Sequence, residues 1–260
     1  MRNREDLRIG WLSAVGVHAG RLLKRWSRSP AEVMSTLAMP ILMMVIIKVM
    51  FSGMVEQFSG VSMDMTAVCV MIAVSQAFTA GLMGAGNIVQ ERHEGLPDRL
   101  TTLPGNQSTS MVGRILAESL TSFVSMAVAV VTGLVYGADF RTFTGLIGTL
   151  VVLAVVSVAA GAVGVMLGFV VDTPQGAMSF APLVMAAMFF NTAMMPRDMY
   201  AEILRPVVDL SPLTSVTSLT DALINSRLST SDIVLFVVWF GGLILLSLMV
   251  LGRKALKVSK

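Results

Sequence analysis

The chain has 260 residues, of which 55% are hydrophobic and only 13% are charged. Soluble domains carry about a quarter charged residues, so this composition excludes a protein whose main solvent is water. The formal net charge is +3, and the basic residues lie in short runs beside apolar segments, which argues against a nucleic-acid partner. The one cysteine, Cys69, excludes an intrachain disulfide and a cysteine-based metal site.

The amino-terminal segment, residues 8–28, is too charged to cross a membrane but is patterned as an amphipathic helix. Its apolar residues share one side of a helical wheel: Leu12, Val15, Ala19, Leu22, Leu23 and Trp26. Its basic residues fall on the other side: Arg21, Lys24, Arg25 and Arg28. The pattern is typical of a helix that lies in the membrane plane. The alternative is a charged leader that only sets orientation.

Six apolar runs follow, each near the length that a helix needs to cross the hydrocarbon layer, about 20 residues. Helices are expected because an open strand in lipid leaves backbone groups unpaired. The predicted spans are residues 33–51, 65–89, 112–136, 143–171, 176–195 and 233–251. The sequence therefore predicts an all-α integral membrane protein with a single domain over residues 1–260.

Basic residues are distributed unevenly between the two sides of these spans. The amino-terminal 29 residues hold seven Lys and Arg, and the tail after Leu251 holds four. The connection between the second and third spans holds three if Arg114, just inside the third span, is included. The connections on the other side hold four. Because basic residues resist export from the cytoplasm, the distribution predicts a cell-membrane protein with both termini in the cytoplasm.

Few side chains inside the spans are suited to bind a substrate. Lys48 either extends to the headgroups or contacts a substrate, and Gln76 and Asn191 suit either interhelical hydrogen bonds or substrate contacts. Methionines such as Met185 and Met188 give an adaptable apolar surface, or simply face lipid. Pro182 is expected to kink the fifth span.

Two further features concern contacts between the spans. Glu118 is expected to pair with Arg114, four residues earlier on the same helix face. Small residues recur at four-residue spacing, which lets helices approach closely either within one bundle or across a dimer. They are Ala73, Ala77, Gly81 and Ala85 on the second span, and Ala160, Gly164 and Gly168 on the fourth.

Residues 90–104 form the most polar stretch of the chain. Leu96, Leu100 and Leu103 are spaced to share one face of a short cytosolic helix. Three helical turns are not stable alone, so this stripe needs a surface, either its own bundle or a partner protein. A loop with solvated charges is the alternative.

The sequence lacks the motifs of several kinds of enzyme. It has no P-loop for ATP phosphates, no paired histidines for zinc and no G-x-S-x-G nucleophile. No catalytic or metal-binding residue is therefore predicted. A secondary transporter is disfavoured because no inverted repeat and no deep carboxylate is visible.

Two segments of the chain contain distinctive short motifs. The first contains Glu91-Arg92, Glu94-Gly95, Arg99-Leu100 and Leu103-Pro104. The second runs over residues 189–196, continues through Leu204-Arg205-Pro206 and residues 210–214, and ends in Asp221-Ala222-Leu223. Together they resemble type-2 ABC exporter permeases, especially the daunorubicin-resistance group. In that family the second segment is an external hairpin that dips back into the membrane, and we expect the same here, with an ordinary external loop as the alternative.

The resemblance implies a permease subunit without its own ATPase site. It would pair with an identical or sister permease and bind two copies of an ABC ATPase subunit, which hold the ATP, while this chain binds no cofactor. The cargo would be hydrophobic or amphiphilic: a drug, an antibiotic or a lipid. The ATPase-coupling residues would be Glu91, Arg92, Glu94, Gly95, Leu96, Arg99, Leu100 and Leu103. The alternative function is a non-transporting membrane scaffold or assembly factor.

Overall fold

The computed structural model describes residues 11–60, 62–95, 107–193, 195 and 197–258, and the regular structure of these residues is helical. The long helices are α1 Trp11–Ser27, α2 Pro30–Ser59, α3 Met65–His93, α4 Gln107–Val135 and α5 Phe143–Val170. Shorter ones follow: α6 Pro174–Met178, α7 Ala181–Phe189, a 3₁₀ turn Arg197–Met199, α8 Arg205–Asp209 and α9 Pro212–Ile224. The last segment comprises α10 Thr230–Phe236, a π-helical turn Val237–Gly241 and α11 Gly242–Val258.

Capping residues explain where several of these helices begin and end. The Asp64 carboxylate accepts hydrogen bonds from the backbone N–H groups of Thr66 (2.8 Å) and Ala67 (3.3 Å) at the start of α3. The Thr142 hydroxyl accepts from Gly145 N–H (3.1 Å) at the start of α5. Gly60 ends α2 with a φ of +67°, a left-handed conformation that glycine adopts without strain.

Five helical segments of the described residues are long and apolar enough to cross a membrane. They are Pro30–Phe58, Met65–His93, Thr109–Val135, Phe143–Val170 and Thr230–Lys254. They correspond to the first four predicted spans and the last one. The chain is therefore a multi-pass, all-helical membrane protein over the described residues.

The structure does not contain the continuous helix predicted over residues 176–195. Two short helices, α6 and α7, take its place, and α7 ends at Phe189. Pro182 explains the break, because a proline inside a helix would clash with the carbonyl four residues earlier, at Met178, whereas the first turn of a new helix accepts it. A sixth crossing of the membrane stays a prediction.

The core of the bundle is the contact between α3 and α5, with α4 packed against both. A β-carbon on Gly81 would lie 2.7 Å from the Ala160 carbonyl oxygen, and one on Gly164 would lie 2.5 Å from the Gly81 carbonyl oxygen. A β-carbon on Gly168 would lie 2.7 Å from the Cβ atom of Ile88. The two small-residue stripes therefore meet inside one bundle, which resolves the choice that the sequence left open.

Helix α1 is amphipathic, as predicted, and packs along α4. It buries Val15 and Ala19, and its His18 side chain lies against Gly113 of α4. Leu12 and Val17 of the same helix are exposed. A position in the membrane plane stays a prediction.

The chain between α7 and α10 contains a 3₁₀ turn and the helices α8 and α9. Helix α9 buries Leu213, Val216 and Leu219, and packs against α5 and α3. The indole N–H of Trp239, in the π-helical turn, donates to the Leu210 carbonyl oxygen at 2.8 Å and so ties the last segment to the start of α9. The predicted re-entry into the membrane stays a prediction.

Candidate functional site

Glu91 joins three helices at the end of α3. One of its carboxylate oxygens accepts a hydrogen bond from the Arg25 guanidinium on α1, and the other accepts from Arg114 on α4. The Glu91 and Arg114 side chains are only 10% and 13% exposed, whereas Arg25 is 53% exposed. The Glu91–Arg114 pair is therefore largely removed from water, whereas Arg25 binds Glu91 from a solvent-exposed position.

Arg92, the next residue, joins α3 to the end of α5. Its guanidinium donates to the carbonyl oxygens of Gly168 and Val171, both at 3.0 Å. Lys254 of α11 donates to the Phe169 carbonyl oxygen between them. The last carbonyls of a helix have no partner within it and carry partial negative charge, so two cations stabilise this helix end.

The backbone conformation at the end of α3 explains why residue 95 is a glycine. Glu94 N–H donates to the Gln90 carbonyl oxygen (3.1 Å) and Gly95 N–H to that of Arg92 (3.2 Å), which closes the last turn of α3. Gly95 has a φ of +70°, the left-handed conformation that ends helices. The Glu94 carboxylate accepts from the Gln90 side-chain amide at 3.2 Å. Glu94 and Gly95 thus end the helix beside the two charged contacts.

The other predicted coupling residues lie outside the described residues. They are Leu96, Arg99, Leu100 and Leu103. The structure therefore places the start of the predicted coupling element, Glu91 to Gly95, and leaves its leucine stripe as a prediction.

The expected pair of Arg114 with Glu118 is wrong, because Arg114 binds Glu91 instead. Glu118 lies against Gly84 of α3, where a β-carbon would come within 2.5 Å of its Oε2. Arg25, Arg114, Glu91, Glu118 and Glu32 all line one cavity of about 100 Å³ between the first four helices. Sequence reasoning missed Arg25 and Arg114 as partners of Glu91, because 66 and 23 residues separate them from it and no local spacing relates them.

Lys48 and Asn191, two of the predicted cargo contacts, are engaged with the bundle itself. The Lys48 ammonium donates to the Tyr136 carbonyl oxygen (2.6 Å), just beyond α4, and lies 5.2 Å from the centre of the Tyr136 ring. Asn191 is fully buried; its amide N–H donates to the Met188 carbonyl oxygen and its Oδ1 accepts from Ala193 N–H (2.7 Å). Both therefore fasten helix ends.

An apolar cavity of about 190 Å³ lies among α3, α5, α7 and the π-helical turn. Its wall includes Phe78, Leu167, Leu183, Ala187 and Trp239. None of the five predicted cargo contacts lines it: Gln76 is half-buried on α3, Met185 is exposed, and Met188 packs against the core. Gly81 and Gly164 line this apolar cavity. The small-residue stripes are therefore the sequence feature that lies next to it.

These features define a multi-pass helical membrane protein whose charged helix ends are tied together beside a polar connecting segment. Residues 62–252 match the family described as "ABC-2 family transporter protein", and the chain belongs to that family. ABC-2 permeases are membrane subunits that work with a separate ATPase subunit. The chain is therefore a permease subunit of an ABC transporter, as its two motifs predicted.

Curated relatives agree with the family assignment. The chain is 28% identical over 230 residues to "Probable doxorubicin resistance ABC transporter permease protein DrrC" of Mycobacterium tuberculosis, which covers 87% of this chain and 82% of that protein. It is 23% identical over 240 residues to "Daunorubicin resistance ABC transporter permease protein DrrB1" of Streptomyces coeruleorubidus, which covers 90% of this chain and 82% of that protein.

Proposed function

We propose that this permease subunit exports a hydrophobic or amphiphilic cargo, such as a drug, an antibiotic or a lipid, and that its ATPase drives it through residues 91–103. One observation carries the proposal: Glu91 and Arg92 tie the helix end next to this segment to α1, α4 and α5, and Lys254 extends the connection to α11. A displacement of the segment would therefore move several spans together rather than bend one helix.

The apolar cavity suits the cargo class. An apolar cavity of roughly 150 Å³ in a protein core binds benzene, so about 190 Å³ accommodates one ring or a short aliphatic segment. The names of both relatives associate those proteins with resistance to doxorubicin or daunorubicin. For this chain, we infer a cargo whose apolar part enters this cavity.

The assembly follows from the same proposal. Both termini lie in the cytoplasm, which the excess of basic residues on that side supports. Two ATPase subunits bind ATP there, and two permeases, identical or sister, form the transport path. ATP shifts the complex between two arrangements only if the coupling segment binds the two states of the ATPase with different affinities. This chain itself holds no cofactor.

Substitutions in the coupling segment, residues 91–103, test the proposed function. Replacing Leu96, Leu100 and Leu103 together by Asp should abolish ATP-dependent export, or release the ATPase during purification, while the spans remain inserted. Replacing the same three residues by Met keeps the stripe apolar and serves as the matched control. Undiminished export by the Asp variant would contradict the proposal. Purification of the wild-type chain with partners that include no P-loop ATPase would favour a scaffold.

A further inference from the structure

Two adjoining cavities form a groove on the side of the bundle, at the same end of the spans as Glu91. The cavity of about 100 Å³ between the first four helices and an open cavity of about 630 Å³ share three lining residues, Glu32, Met83 and Asn87. Glu32 lies in the first turn of α2, and the other two lie near the end of α3. We call this space the side groove. It runs between α2 and α3 and reaches α6.

The side groove opens at the outer surface of the bundle, at the depth of lipid headgroups. Met83 is 46% exposed and Asn87 is exposed too, although both belong to a membrane-spanning helix. The span of α2 begins at Pro30, so Glu32 lies at the edge of the apolar layer. Trp26 also lines the groove, and tryptophan is enriched at the boundary between lipid and water. A lipid headgroup can therefore reach the groove from the side.

Glu118 carries a charge that the protein itself leaves without a partner. It belongs to the span of α4, and protein atoms surround it on nearly all sides. Its carboxylate lines the side groove and has no hydrogen-bond or salt-bridge partner among the described residues. An ionisable group within a span costs free energy and usually marks a functional site. The position of Glu118 therefore points to a ligand that supplies a positive charge.

Gly84 of α3 makes room for this carboxylate. A β-carbon on residue 84 would lie 2.5 Å from Oε2 and 2.9 Å from Oε1 of Glu118. Any other amino acid at this position would push the carboxylate aside. One residue on α3 and one on α4 thus combine to hold the negative charge at the wall of the side groove.

Groups that bind an anion line the same groove. Arg25 is 53% exposed and uses its Nη1 for Glu91, and its guanidinium has further N–H groups that can donate. The side-chain amide of Asn87 makes no hydrogen bond within the described part of the chain and can donate as well. The side groove therefore presents acceptors for a cation and donors for an anion.

We propose that the side groove binds the headgroup of an aminophospholipid, with its ammonium at Glu118 and Glu32 and its phosphate at Arg25. A primary ammonium donates up to three hydrogen bonds, which the two carboxylates accept. A volume of about 100 Å³ holds about three groups of the size of water, and an aminoethyl group has three non-hydrogen atoms. A choline headgroup is larger and has no N–H to donate. The lipid is a bound component of the permease and is separate from its cargo.

Native mass spectrometry of the purified full-length permease tests this proposal. The delipidated protein in detergent is mixed with equal amounts of phosphatidylethanolamine, phosphatidylcholine and phosphatidylglycerol that carry identical acyl chains. The wild type should retain the ethanolamine lipid most strongly. Glu118→Gln keeps the shape of the side chain and removes its charge. The ratio of bound ethanolamine lipid to bound choline lipid should therefore fall roughly tenfold, because a hydrogen bond between two charged groups is lost.

Two further variants keep the result interpretable. Glu202→Gln removes the same charge from a side chain that is 91% exposed and lies outside the groove, so the preference should remain. Gly84→Ala keeps every charge but displaces the Glu118 carboxylate, so the preference should decrease. This variant should fold, because the atoms in the way are the end of a flexible side chain and alanine favours a helix.

Several results would overturn the proposal. Equal retention of the three lipids, or preference for the glycerol lipid, would show that the ammonium is not recognised. A preference that survives in Glu118→Gln, or that Glu202→Gln also abolishes, would place recognition outside the groove. An equal loss of all three lipids in Glu118→Gln would give Glu118 a structural role only.

A second permease is the other possible occupant of the groove. Oxidation of Met83→Cys in native membranes should give no crosslinked dimer, because Met83 faces lipid and Cys69 is buried. A crosslink between two copies at this position would show that another permease covers the groove, and would also overturn the proposal. These results leave the proposed export function standing, because the variants of Leu96, Leu100 and Leu103 test it separately.

Discussion

Gly164 on α5 faces Gly81 on α3 so closely that a β-carbon on Gly164 would lie 2.5 Å from the Gly81 carbonyl oxygen. The neighbouring atoms are backbone, which cannot swing away as a flexible side chain would. We therefore expect Gly164→Val to separate the two helices and to destabilise the bundle by about 1 to 3 kcal/mol, the usual cost of overpacking. Thermal unfolding in detergent measures this.

Gly148 on the same helix provides the control. A β-carbon there would meet the Leu223 side chain at an ordinary 3.5 Å. Gly148→Ala should be neutral or slightly stabilising, because alanine is the better helix former. If both variants unfolded at the wild-type temperature, the close contact between Gly81 and Gly164 would not exist in the protein.

The two partners of Glu91 should contribute unequally. Arg114→Gln leaves the Glu91 carboxylate, 10% exposed, without its more buried partner, and removing one partner of a buried pair costs about 3 to 5 kcal/mol. Arg25 is 53% exposed, so solvent screens its contact and Arg25→Gln should cost less than about 1 kcal/mol. The free energy of unfolding in lipid or detergent distinguishes the two variants. Equal effects would show that Glu91 depends on both arginines alike.

The docking of α1 on α4 should weaken in acid. Burial, and then the neighbouring Arg21 and Arg114, lower the pKa of His18 below its ordinary value of 6.5. A base with a lowered pKa binds its proton more readily when α1 is undocked, so its contribution to stability is present above the ordinary value and is lost as the pH falls below it. Docking should therefore loosen between about pH 7 and pH 5.

Tryptophan fluorescence reports this change when Trp26 on α1 is the only tryptophan, with Trp11 and Trp239 replaced by Phe. The emission of Trp26 should shift towards that of a solvent-exposed indole as the pH falls. His18→Gln, which cannot titrate, should remove the shift. A shift of the same size in the Gln variant would assign the effect to another group.

Hydropathy alone was enough to predict the membrane class and the positions of five long helices. Crossing a bilayer requires about 20 consecutive apolar residues, and that is a property of each segment by itself. The family motif was readable for the same reason, because Glu91, Arg92 and Gly95 lie within five residues of one another. The structure then explained the glycine as the left-handed residue that ends α3.

The break before Pro182 lay within reach of the sequence but was predicted as a kink. Proline removes a hydrogen-bond donor and clashes with the preceding turn, and either a bent helix or a new helix relieves the clash. Which of the two forms depends on the packing on both sides. The structure has a new helix, and α7 begins at Ala181.

Contacts between distant segments required the folded bundle. Glu91 meets Arg25 across 66 residues, the small-residue stripes of α3 and α5 meet within one bundle, and Asp64 and Asp221 line one cavity. Each of these depends on how far a helix is rotated about its axis and where it crosses its neighbour. These helices are apolar on nearly all sides, so hydropathy does not indicate which face of a helix packs against a neighbour. The sequence therefore shows the number and length of the long helices more clearly than the contacts between them.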